Sequence, residues 1–153
     1  MQAQAQHPDV VFLGADIGVY TMARAYHLVT GRGSTVVASN ALAAVRTSSL
    51  VTMVPLASVF DEDAIVATLL SLREGKAEPA ILMTNSDHFA AIMARHAVTL
   101  ESSYVIPQPR LDVMERIADK DTFMSDCMAL GIAVPRGITV DLAAPDFTEP
   151  SLE

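Results

Sequence analysis

Three stretches of this 153-residue chain combine residue types that could handle a charged small molecule. They are Gly14-Ala15-Asp16-Ile17-Gly18, Thr84-Asn85-Ser86-Asp87-His88 and Asp119-Lys120-Asp121. The first opens an apolar-periodic segment, so its backbone N–H groups sit at a helix start, where they attract an anion or the carboxylate of a small substrate. Asp16 has two readings, a helix cap or a carboxylate that holds an amine. In the second stretch Asn85, Ser86 and Asp87 face the same choice between capping and substrate contact, and His88 follows as an exposed residue. Lys120, one of two lysines, stands in the first turn of a helix, where the dipole opposes a cation. A lysine directed at a phosphate would occupy such a place, although Asp119 and Asp121 can neutralise it.

Other chemistry finds less support. Asp16 stands where a dinucleotide fingerprint needs its second glycine, and Ser39-Asn40 stands where that motif expects an acid after the second strand. His7, His27, His88 and His96 have no metal-ligand spacing, and Cys127 has no second cysteine. Cys127 shares a helical stripe with Phe123 and Leu130, which predicts a buried thiol. No catalytic or metal-binding residue is assigned.

The elements that must carry these stretches follow from periodicity. Val10-Val11-Phe12-Leu13 is apolar on both faces, as in a parallel strand covered by helices. From Val19, residues Met22, Ala23, Tyr26 and Val29 mark an apolar helix face ending at Gly31 and Gly33. Thr35–Ala38 supplies the second strand. Leu50–Val54, closed by Pro55, supplies the third, and a helix started by Asp61-Glu62-Asp63 runs to Gly75. Ala80–Thr84 is the fourth strand, followed by a helix with Phe89, Ile92 and Met93 inward. Tyr104–Ile106 suits a short edge strand before Pro107. Two helices follow, Leu111–Ala118 and one capped by Asp119 and stopped by Gly131, then an extended stretch from Ile132 to Val140 around Pro135.

The alternation predicts an α/β fold: a three-layer, doubly wound, Rossmann-like parallel sheet of four or five strands in the order 3-2-1-4. Residues 9–118 form that domain, 119–140 an opening helix and extended segment, and 141–153 a linker or disordered tail. Apolar residues make up 51% of the chain, which excludes intrinsic disorder, and the formal charge of −8 argues against nucleic acid or an anionic membrane as partner. No stretch approaches the ~18 apolar residues of a membrane helix. The start Met1-Gln2-Ala3-Gln4 lacks a secretory pattern, so a reducing cytoplasm is the expected location.

The order of features resembles the amino-terminal, pre-ATP-grasp domain of ATP-grasp carboxylate–amine ligases over residues 9 to 140. The likeness is carried by Val11–Asp16, Pro79–Asp87, Leu100–Pro107 and the pair Asp119-Lys120 ahead of Gly131-Ile132-Ala133-Val134-Pro135. Biotin carboxylase and the large subunit of carbamoyl phosphate synthase share this domain order. The residues around Asn85-Ser86-Asp87 and Tyr104–Pro107 look closer to ligases that add an amino acid such as D-aspartate to cell-wall precursors. The resemblance implies that Lys120 contacts ATP phosphate in the intact parent, and that Gly14, Ala15, Asp16, Ile17, Gly18, Asn85, Ser86 and Asp87 face a small carboxylate or amino-acid substrate. It further implies Mg-ATP chemistry through an acyl phosphate, with the Mg ligands on a C-terminal ATP-grasp domain absent from this sequence. The fragment would then be inactive alone and hold no cofactor tightly. A non-catalytic module that binds a small molecule or a partner, and a nicotinamide-dependent oxidoreductase fragment, stay open as alternatives, as does a homodimer.

Overall fold

The computed structural model describes residues 7–135 and residue 137. They fall into two compact units, one through Leu111 and one from Asp112 onward. The first holds a five-stranded, all-parallel sheet in the order β3-β2-β1-β4-β5. Its strands are β1 (Val10–Leu13), β2 (Ser34–Ala38), β3 (Val51–Pro55), β4 (Ala80–Thr84) and β5 (Tyr104–Val105). The predicted order 3-2-1-4 is thus observed, and the added edge expected at Tyr104–Ile106 is present one residue shorter, ending at Val105.

Alternation within β1 divides the core into two layers. Val10 and Phe12 pack on one face with Val19, Ala23 and Val36, beneath α1 (Ile17–Thr30) and α2 (Ala43–Arg46). Val11 and Leu13 point to the other, toward α3 (Glu62–Ser71), α4 (Asp87–Arg95) and α5 (Ala97–Leu100), against Ile65, Leu69 and Ile92. A strand buried on both faces has no polar side to show, which is why its sequence is a continuous apolar run. At the short edge, the Tyr104 hydroxyl donates to the Leu69 carbonyl at 2.7 Å, and burial pushes its pKa up to about 12.

Several expectations need correction. Helix α1 starts at Ile17 rather than Val19, because Asp16 caps it, and Val29 is 78% exposed rather than inward. A four-residue helix, α2, interrupts the connection expected to be loop, and α5 is likewise new. Pro55 ends β3 from within, which an edge position tolerates since its missing N–H has no ladder partner to lose. Helix α3 stops at Ser71, and turns carry the chain to Gly75.

The second unit contains α6 (Leu111–Ala118), apart from its first residue, and α7 (Lys120–Ala129). Asp119 caps α7 through the Thr122 N–H at 2.7 Å, and Gly131 takes the left-handed conformation after its end (φ 72°). Cys127 is buried, as expected. Phe123 and Leu130 are 47% and 76% exposed, so the stripe predicted to share its burial does not. Residues 132–135 have no regular structure. Residues 136 and 138–140 of the stretch expected to continue to Val140, and the tail 141–153, lie outside the described residues, as does the chain start.

Candidate functional site

The carboxyl ends of β1, β2 and β4 open on a cavity of about 440 Å³. Ligands of open α/β sheets bind in this place, where connections on opposite faces of the sheet part from one another. Four loops build its wall. From the β1–α1 loop come Gly14, Ala15 and Asp16, and Ser39–Leu42 come from the segment after β2. The loop after β3 contributes Val59, and the β4–α4 region Asn85, Ser86 and Phe89.

The β1–α1 loop owes its shape to two glycines. Gly14 has φ 93°, a conformation that L side chains rarely adopt, and its N–H donates to the Val37 carbonyl at 3.0 Å. Gly18 leaves room for Asn85: a Cβ there would stand 2.2 Å from Asn85 Nδ2. That approach lets Asn85 Nδ2 donate to Asp16 Oδ2 at 2.9 Å, while Asp16 Oδ1 accepts from the Val19 N–H at 3.0 Å. The bond from Val19, aided by that from Asn85, holds the Asp16 carboxyl below the usual carboxylate range. Asp16 is therefore ionised near neutral pH and is poorly suited to donate a proton. It caps the helix, and a pyrophosphate placed against this loop would meet its negative charge.

The second loop is locked to the first strand. Thr84 Oγ1 donates to the Leu13 carbonyl at 2.8 Å and accepts from the Ser86 N–H at 3.1 Å. Ser86 occupies the N-cap position of α4 but makes no side-chain capping bond. His88 Nε2 donates to the Val59 carbonyl at 2.7 Å and lies between the rings of Phe60 and Phe89, at centroid distances of 5.8 and 5.3 Å. A carbonyl only accepts, so the proton must reside on Nε2. His88 thus ties the loop after β3 to the start of α4.

Of the eight residues expected to face a substrate, Gly14, Ala15, Asp16, Asn85 and Ser86 line the cavity. Ile17, Gly18 and Asp87 are not in its wall, and Ile17 and Asp87 are exposed. Lys120 is an exposed residue opening α7 in the second unit. The wall residues from the loops after β2 and β3, and Phe89, carried no signal of their own, because their convergence depends on strand order. Only the placing of Ser39-Asn40 at a strand end pointed toward them. Among the described residues no group of three His, Cys, Asp or Glu side chains could hold a metal ion. These residues therefore do not fit a Mg site, and no step through Mg is assigned to them. No helix among them is long and apolar enough to cross a membrane.

The chain is similar to a D-aspartate ligase of Enterococcus faecium (strain Aus0004), with 27% identity over 135 residues. The match takes in 85% of this chain but 32% of that enzyme, so the chain spans about a third of the length of its curated relative. No family model matches the chain, and no solved structure does. The similarity makes the chain a distant relation of a ligase.

Proposed function

We propose that this chain is the substrate-side domain of an ATP-dependent carboxylate–amine ligase and is inactive alone. The similarity to D-aspartate ligase carries the reading, and the strand-end cavity gives it a place to act. In the intact parent, a carboxylate oxygen would attack the γ-phosphorus of Mg-ATP, releasing ADP and leaving an acyl phosphate. An amine would then attack the acyl carbon and expel phosphate. The contribution of the described residues is positional. The start of α4 offers backbone N–H groups to a substrate carboxylate, the ionised Asp16 would pair with a substrate ammonium while it orients Asn85, and Leu42, Val59 and Phe89 provide an apolar wall. Lys120 would reach a phosphate of ATP. The Mg ligands would come from the rest of the parent.

The test is an NMR titration of the isotope-labelled chain with D-aspartate, using succinate and L-aspartate for comparison. Saturable shifts confined to Gly14–Gly18, Ser39–Leu42 and Asn85–Phe89 are expected. No saturable shift at these amides up to tens of millimolar, with the fold intact, would overturn the assignment of the cavity.

A further inference from the structure

A second cavity of the first unit, about 610 Å³, lies at the opposite end of the sheet and has no part in the proposed reaction. Two arginines line it. Arg73, in the turn that follows α3, has a side chain only 8% exposed, and Arg32 precedes β2. Asp9, just before β1, joins them: Arg73 Nη1 donates to Asp9 Oδ2 at 3.1 Å, and Arg32 Nη2 to Asp9 Oδ1. Arg73 Nη2 also donates to the Glu78 carbonyl, and Arg32 Nη1 to that of His7. Each guanidinium thus spends two of its five N–H donors, and the Arg73 Nε–H is buried without an acceptor among the described residues. A desolvated cation held by half a carboxylate is incompletely compensated.

The charges give the sign of the guest. Arg32, Arg73 and Asp9 sum to one positive charge in a chain whose total is −8. Glu78 is the other acid on the wall, and Lys76, outside the wall but near enough to favour the Asp9 carboxylate, balances it in the formal count of charge. Apart from His7, the rest of the wall is apolar, from Pro8, Pro79, Ile81 and Val105. A monoanion would neutralise the site, whereas a dianion would overcharge it, and the apolar wall asks for a hydrocarbon body. We infer that this cavity is a second binding site, for a small monocarboxylate with an apolar or aromatic body, its carboxylate paired to Arg32 and Arg73.

Benzoate serves as the probe, with inorganic phosphate as the dianionic comparison, both titrated into the labelled chain at constant ionic strength. Benzoate should saturate at about 1 mM or tighter, an affinity that one charge-assisted pair and a covered ring can support. The shifts should fall on Asp9, Arg32, Arg73, Ile81 and Val105 and spare Gly14–Gly18 and Asn85–Phe89. Arg32→Gln, at a half-exposed position where folding should survive, should weaken benzoate at least about tenfold. Unchanged affinity in that variant, shifts at the other end of the sheet, or phosphate binding as tightly as benzoate would each overturn the inference. Because the two cavities report through different amides, failure here is distinguishable from failure of the D-aspartate titration.

Discussion

The contact between Gly18 and Asn85 separates what a side chain contributes to stability from what it contributes to a site. A Cβ at Gly18 would clash with the far end of an exposed side chain, which can rotate away. Gly18→Ala should therefore change unfolding free energy by less than about 1 kcal/mol, because the gain in helix propensity opposes the lost Asn85–Asp16 bond. The Asn85 side-chain amide resonances should nevertheless move, and D-aspartate binding should weaken. Urea melts and the amide spectrum of the variant check both halves. Lys120 makes the complementary case. In the full-length parent, Lys120→Ala should lower kcat/KM about thirty- to a thousand-fold, roughly 2–4 kcal/mol of transition-state stabilisation for a lost charge-assisted phosphate contact. Stability of the exposed site should shift by only a few tenths of a kcal/mol. Turnover within threefold of the parent would remove Lys120 from the phosphate role.

At the scale of elements, burial separates positions that look alike in sequence. Leu82 in β4 and Leu28 in α1 are both leucines in apolar segments, yet one is fully buried and the other 77% exposed. Leu82→Ala should cost about 2–5 kcal/mol, and Leu28→Ala less than about 0.5 kcal/mol, measured by urea unfolding. The Asp9 staple ties the start of β1 to the ends of α1 and α3, and it carries a pH signature. The hydrogen bond from Arg73, with the charge of Arg32, lowers the Asp9 pKa in the folded state. Its contribution to stability is then present above the unfolded carboxylate value, about 3.9, and is lost as pH falls through the lower folded value. Asp9→Asn should flatten that part of the acid limb in urea midpoints taken between pH 5 and pH 2. The strands and long helices were legible because each repeats its period over enough residues. Four residues such as α2 or α5 cannot establish a period, and the exposure of Phe123 and Leu130 reflects packing that a helical wheel does not contain. Likewise Gly14, Asp16 and Asn85 could be read from strand ends, whereas the pairing of Asp9 with Arg73 crosses 64 positions and leaves no local trace.

For the molecule as a whole, the ligase relation and the third of its length covered lead to one expectation. The chain alone should show no ATP hydrolysis, and ATP affinity by calorimetry should be weaker than about 1 mM, since phosphoryl transfer needs metal and a phosphate cradle together. Micromolar ATP binding would contradict this and return attention to the Gly14–Gly18 loop.

The central position of β1 also sets an order of events during synthesis. Its β2 partner is made soon after it, but Val10 pairs with Ile81 and Leu13 with Thr84 on the other side. At roughly 5–20 residues per second, the ribosome needs several seconds to deliver that second neighbour. During that interval one edge of the most apolar strand stays open to whatever strand or chaperone reaches it first. The nascent chain is thus most prone to mispairing between the completion of α1 and the emergence of β4, and slowing translation between Gly31 and Pro79 should lower the yield of folded protein.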